Sequence, residues 1–519
     1  MFPSDRSRLF ARLSEAVGRR CAIDLRGLAV FRMAVGFVVV ADLLARSRDL
    51  VAFYTDSGVL LRRALASDYS GIYSIHTLSG DAWFQALLFV VAGMFALMLI
   101  VGYRTRTATV VSWLLLLSLR ARNPMIFNSG DDLLGLLLFW GIFLPLGERW
   151  SVDARRIDRD RSTVVSLASL GILVQVLLVY VTNAVHKSRS EEWMSGEALA
   201  MVYQADQYTV RLGDFFASYP ALLEWLTAAW LWLLVLSPLL LLLTGARRAM
   251  LTTMFVGVHL GIALTMNIAT FPLVSIAAML VYYPPSVWEW LTRLLTRTGV
   301  LDRTRSLRDR LPTLGSAVTL PTDATARLDG VGAALDRGRA AVSLVVPYLF
   351  LVLVLTSAAA DVGYASVPEP GEEVLEVTET DQDWAMFAPD PVRTTRWYAA
   401  PGRLEDGRMV DTLHESDVIF DPGAGTNDSF RRPDDVEGTY PSARFHKYLV
   451  NVQFADNDNH RSYLANYLCD RWNRRHDTTV ETVSIWALSE RTDPYNGTVI
   501  SERKSRLIEY DCSGPLVQE

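Results

Sequence analysis

Long apolar runs alternate with short polar segments over the first 290 residues, and the pattern changes near residue 361. Runs at 28–45, 82–102, 107–119, 132–147, 163–185, 221–243, 251–270, 271–288 and 341–360 are rich in Leu, Val, Ala and Ile. A hydrocarbon core about 30 Å thick takes roughly 20 residues of helix, so the pattern predicts about nine membrane spans. The third run is short, and the seventh and eighth run together. Pro145, Pro238 and Pro272 lie in or at the ends of runs, where neighbouring helices satisfy the freed carbonyls. The first run carries Arg32 and Asp42 and lacks a small-residue cleavage site, so it reads as a span that stays in place.

Past residue 361 the long runs stop. "TRWYAAPGRLEDGRMVDTL" reads as a hairpin turning at Asp406-Gly407. "HKYLVNVQFADNDNHRSYLANYL" reads as a strand, a polar turn and a second strand or short helix. The expected fold is therefore a polytopic α-helical membrane bundle followed by a β-rich extracytoplasmic domain. Its parts are an N-terminal cytoplasmic segment (1–26), a transmembrane domain (27–290), a basic cytoplasmic linker (291–340), a final span (341–360) and an acidic C-terminal domain (361–519).

Composition agrees with a mixed architecture. At 51% apolar residues and mean hydropathy +0.21, the chain is too apolar for an ordinary soluble protein and too charged for a wholly embedded one. The charge is divided: from Asp361 onward 30 acidic residues face 16 basic ones, and the rest of the chain is net positive. The basic residues lie between apolar runs, which speaks against nucleic acid as a partner. With the N-terminus inside, most loop arginines fall on the inner side, and an odd number of spans sends the acidic domain outside. Arg46, Arg48, Arg62, Arg63, Arg120 and Arg122 fall on the outer side and fit this rule least. Cys469 and Cys512 then share an oxidising compartment and are a disulfide candidate, with Cys21 left inside.

Several chemistries are absent from the sequence. It has no Gly-rich phosphate loop, no nucleophile elbow, no His-Glu-x-x-His and no Cys-x-x-Cys, and no metal is expected. What remains is polar groups gathered at one membrane face: Lys187 and His186 at the end of the fifth run, Asn128, Asp131 and Asp132 before the fourth, His76 in the first outer loop, and Asn267 at the end of the seventh. Polar residues at membrane depth face the bundle interior and are candidates for function. Asp131 and Asp132 have a second reading as helix caps. Lys187 stands apart, because only three of the 50 basic residues are lysine and it alone precedes residue 440. Arginine stays charged in proteins, whereas lysine gives up its proton once burial disfavours the charge.

Several stretches carry a resemblance: "LRGLAVFRMAVGFVVVADLLAR", "FYTDSGVLLR", "RNPMIFNSGDDLLGLLLFWGIFLPLGERWSVD", "NAVHKSRSEEWMSGEAL" and, after the membrane domain, "DWAMFAPDPVRTTRWYAAPGRLEDGRMVD". Over about 20–290 and 380–412 the chain resembles the HTTM (horizontally transferred transmembrane) domain family, which is related to vitamin K-dependent gamma-carboxylase. Lys187, Trp193 and Gly196 match a carboxylase pattern in which the lysine deprotonates reduced vitamin K, oxygen adds, and a strong base forms that takes a glutamate proton before CO2 is captured.

The resemblance implies that Lys187 deprotonates a reduced naphthoquinone such as menaquinol reached through the lipid bilayer, with O2 and CO2 as co-substrates and a secreted or surface protein as partner. It implies Asp131 or Asp132 as further catalytic groups, because "NSGDDLLG" lacks the histidine the carboxylase has before the matching span. His76, Asn128, His186 and Asn267, polar groups gathered at the same face, are candidate substrate- or quinone-binding residues together with Trp193. The alternative is a non-catalytic membrane scaffold that presents the C-terminal domain.

Overall fold

A computed structural model describes residues 15–69, 71, 73–156, 161–299, 322–378, 380–417 and 432–514. The N-terminal half is helical: α1 (Leu25–Ser47), α2 (Ala82–Val101), α3 (Thr105–Arg122), α4 (Ser129–Ile142), α5 (Leu167–Ser188), α6 (Pro220–Val235), α7 (Gly245–Thr265), α8 (Phe271–Met279), α9 (Pro285–Arg297) and α10 (Thr322–Asp361). Consecutive helices α1 to α4 pack as neighbours, α8 packs on α1, α4 and α7, and α5 is flanked by α4, α6 and α10.

Local sequence explains where these helices begin. Asp24 caps α1 by accepting from the backbone of Arg26, and Ser166 and Ser169 form a reciprocal cap at the start of α5. Asn128 and Asp131 do the same at α4. Gly130 in that first turn is closely approached: a Cβ there would lie 2.8 Å from the backbone nitrogen of Phe271, so the bare backbone lets α4 meet the start of α8. Polar residues of α1 and α5 turn inward. Arg32, Asp42 and Arg46 are buried on α1, as are Gln175, Asn183 and Lys187 on α5.

Five helices among the described residues are long and apolar enough to cross a bilayer, or six if a bent pair counts as one span. They are α1, α2, α5, α7 and the Ala341–Asp361 part of α10. Nine spans are not matched, for reasons of length and breakage. Helix α4 has 14 residues, about 21 Å at 1.5 Å per residue. Helix α3 carries Arg106, Arg120 and Arg122. The run at 221–243 breaks at Ser237-Pro238 after α6, and the run at 271–288 turns by 103° between Tyr282 and Pro285.

The C-terminal part holds a six-stranded antiparallel sheet: β1 (Thr395–Ala399), β2 (Pro401–Leu404), β3 (Met409–Asp411), β4 (Ser416–Asp417), β5 (Val480–Thr492) and β6 (Val499–Asp511). The long β5 pairs with β6 along one edge and with β1 and β2, end to end, along the other. Strands β2 and β3 form the hairpin expected at Asp406-Gly407, with Gly407 at φ +83°. The stretch read as a strand, a polar turn and a second strand or short helix is instead two helices, α11 (Ala443–Phe454) and α12 (Asn459–Arg475). Helical spacing decides it: Phe445, Tyr448, Leu449 and Val452 bury one face, and the Ser442 side chain caps α11. Cys469 on α12 is bonded to Cys512 beyond β6, with Cα atoms 5.7 Å apart, and Cys21 is free and buried.

The C-terminal domain is seated on the bundle. Asn451 donates to the Met125 carbonyl at 2.9 Å, Tyr463 donates to Asp68 at 2.9 Å, and Ser442 donates to Asp49 at 2.5 Å. Arg444 goes deepest. It donates to Asp42 at 2.5 Å, to both oxygens of Asp131 at 2.8 Å and to the Ile126 carbonyl at 3.1 Å.

Candidate functional site

Lys187 is buried in the last turn of α5, with 2% of its surface exposed. Its Nζ donates to the Met386 carbonyl at 2.7 Å and lies 3.8 Å from the centroid of the Trp193 ring. Trp193 is fixed in turn, because its Nε1 donates to the Phe387 carbonyl at 2.9 Å. The segment Gln382–Phe387 runs alongside α5 and is held at three levels. Gln175 donates to the Gln382 side chain at 2.6 Å, Asn183 to the Trp384 carbonyl at 2.8 Å, and Lys187 to the Met386 carbonyl. Three polar residues on a membrane helix thus find their partners in a segment that follows the last span. No carboxylate contacts the Lys187 amine among the described residues.

Beside Lys187 opens a cavity of about 770 Å³ whose wall is mostly apolar. That volume lies in the ~300–1,000 Å³ range of small-molecule sites. The wall comes from α5, α6, α7, the segment at Met386-Phe387 and α11. Asn128, Lys187, Trp193 and Asn267, all singled out in the sequence, line it. Trp225 of α6 and Met254 of α7 line it too while being 67% and 51% exposed, so the cavity reaches the outer face of those two helices. Gly257 and Gly261 of α7 add width there, since nothing lies within 4 Å of a Cβ built on either.

The other sequence candidates lie elsewhere. Asp131 is fully buried in a cluster with Asp42, Arg46 and Arg444, and Arg46 reaches it at 2.5 Å. It also completes the α4 cap, so the capping reading describes its place. Burial and Arg46 oppose the Arg444 charge, and Asp131 and Asp42 outweigh them, so its pKa stands above the ordinary arginine value. Asp132 pairs with Arg120. His76 packs between Tyr54 and Phe89, with its Nδ1 2.7 Å from Gln85 Oε1, and burial pushes its pKa down to about 4. His186 pairs with Asp361 at 2.9 Å. None of these four lines the Lys187 cavity.

The cavity residues not singled out in the sequence include Tyr180, His259, His446 and Lys447. The Tyr180 hydroxyl and His259 Nε2 are 2.9 Å apart, inside two apolar runs where any polar side chain is a signal. Lys447 is one of only three lysines, so the rarity that marked Lys187 marked it equally. His446 carried no signal of its own.

Comparison with known proteins agrees with the helical half. The HTTM domain family matches residues 21–288, a little more than half of the chain. A relative, the sporulation-delaying protein SdpB of Bacillus subtilis (strain 168), is 22% identical over 181 residues, 33% of this chain and 53% of the relative. The chain thus spans about half the length of that curated relative. No solved structure matches. With several apolar helices and a family match over this length, the chain is a multi-pass membrane protein of the HTTM domain family.

Proposed function

We propose that this protein is a membrane enzyme that binds a reduced naphthoquinone in the Lys187 cavity and promotes its oxygenation, with Lys187 as the base. One observation carries the reading: a buried lysine with no carboxylate partner among the described residues stands at the wall of an apolar cavity that reaches the outer face of α6 and α7. The donor set fits such a group. An apolar wall suits the fused rings and an isoprenoid tail, and the exposed Trp225 and Met254 mark a side opening through which a lipid-soluble molecule enters.

When bound, a reduced naphthoquinone supplies a phenolic hydroxyl and two electrons for O2, and the overall change is quinol plus O2 to quinone epoxide plus water. The chain's own part is to take and hold a proton. Lys187 Nζ, oriented by the Met386 carbonyl, accepts the hydroxyl proton. That carbonyl and the Trp193 face both favour the resulting ammonium, so they stabilise the product of the transfer. Met386 and Phe387, on the segment that supplies these carbonyls, form part of the cavity wall beside Lys187. Capture of CO2 by a glutamate would follow only with a protein acceptor at this face. The outward placement of the C-terminal domain belongs to the same proposal. Of the outer arginines that fit the charge rule least, Arg46, Arg120 and Arg122 are buried and bonded, to Asp42 and Asp131, to Asp132, and to the carbonyls of Leu60 and Thr55.

The test is turnover in nanodiscs with reduced menaquinone and O2, read as epoxide by mass spectrometry. Wild-type protein yields epoxide and Lys187→Ala does not. Epoxide at the wild-type rate from Lys187→Ala removes Lys187 from the role.

A further inference from the structure

The C-terminal domain does more than sit on the bundle. Helix α11 sends His446 and Lys447 into the same cavity as Lys187. His446 is 6% exposed, and its ring lies edge-on to Tyr208 at 5.0 Å and to Tyr440 at 4.7 Å. Those contacts hold the ring plane. They leave Nε2 buried with no hydrogen-bond partner among the described residues. Native proteins pair most buried polar atoms, so an unpaired ring nitrogen at a cavity wall is a place kept for a ligand atom. Tyr208 in turn packs edge-on to Phe387, the residue whose carbonyl fixes Trp193 against Lys187. The two polar points are thus joined by one aromatic chain.

We propose that His446 is a ligand-contacting residue of the cavity, its Nε2 hydrogen-bonding one oxygen of a two-oxygen aromatic ligand whose other oxygen faces Lys187. The ligand class rests on the naphthoquinol reading given above. Burial, together with the charges of Arg396 and Lys447, pushes the His446 pKa down to about 4. The imidazole is therefore neutral near pH 7, with one nitrogen to donate and one to accept. A site built this way needs both domains: Lys187 from α5 and His446 from α11 lie 259 residues apart in the chain. The C-terminal domain then completes the binding site, and removing it takes a polar contact from the cavity.

The test compares two ligands on the full chain in nanodiscs. One is a short-chain naphthoquinol held reduced under anaerobic conditions. The other is the hydrocarbon of the same shape that lacks both oxygens. His446→Phe keeps the ring volume and removes the nitrogens, and His446→Gln restores a polar group. His446→Phe is expected to weaken the naphthoquinol by roughly 10- to 100-fold. The hydrocarbon should bind as in wild type, and His446→Gln should recover much of the loss. Equal naphthoquinol binding by wild type and His446→Phe overturns the inference and leaves the Lys187 reading standing. Loss of both ligands together in His446→Phe also overturns it, because the ring then only packs. If wild type binds the hydrocarbon but not the naphthoquinol, the ligand class fails and the inference falls with it.

Discussion

Two groups of buried polar side chains sit where the helical bundle meets the C-terminal domain, and they are built on opposite plans. In the cluster of Asp42, Arg46, Asp131 and Arg444, every charge has a partner of opposite sign within 2.8 Å. Two aspartates balance two arginines, and the Tyr54 hydroxyl and Ile126 carbonyl accept further bonds from them. In the cavity, among the described residues, Lys187 meets only a carbonyl and an aromatic face, and His446 keeps a bare nitrogen. A fully paired cluster has nothing left to offer a ligand. A wall with unsatisfied groups does. Burial alone therefore does not mark the site; burial at a cavity wall without a partner of opposite charge does.

The largest expected effect belongs to the cluster. Asp131→Asn removes the charge that Arg46 and Arg444 share and should destabilise the protein by about 3–5 kcal/mol, as breaking a buried ion pair does. Thermal unfolding in detergent reads this. A change below about 1 kcal/mol would place the cluster with weakly coupled surface pairs.

A smaller effect is expected from pH, and it separates the two groups, because one contributes a slope and the other none. His446 has a folded pKa near 4, below its ordinary 6.5, so the unfolded chain binds the extra proton first as pH falls. The stability it contributes is present above pH 6.5 and is lost as pH falls from 6.5 toward 4, by up to about 3 kcal/mol. His446→Phe should flatten that part of the stability profile. Arg444, held charged by Asp131 and Asp42, should contribute no slope there. An unchanged slope in His446→Phe would contradict the buried neutral ring.

The smallest effect lies at the side opening. Gly261→Leu places a side chain in open space beside the cavity, so stability should hold within about 0.5 kcal/mol. Naphthoquinone affinity should fall roughly tenfold, or about 1.4 kcal/mol. Unchanged affinity, measured by equilibrium dialysis, would move the entry path away from α6 and α7.

Much of this comparison was legible in the sequence, and the unread part has a common cause. The apolar runs located the long helices, because period and composition are local properties. They predicted more spans than the five or six helices among the described residues that are long and apolar enough, since a run of apolar residues does not reveal a Ser237-Pro238 break or a 103° turn. The Asn128–Asp131 cap was readable for the same local reason. The pairing of Asp131 with Arg444 was not, because the two lie 313 residues apart and no periodicity links them. The contribution of His446 and Lys447 to the cavity went unread for the same reason. The "DWAMFAPD" stretch was conspicuous in the sequence, and its carbonyls are what Asn183, Lys187 and Trp193 bind.

The most direct measurement is epoxide yield from Lys187→Arg in nanodiscs, set beside its thermal unfolding. Arginine keeps the positive charge and cannot give up its proton to become a base. If Lys187 acts by taking a proton, the variant unfolds near the wild-type temperature and its epoxide yield drops by roughly 10²–10⁴. Epoxide at the wild-type rate from Lys187→Arg would show that the position needs only a cation, and the account of Lys187 as the base would be wrong.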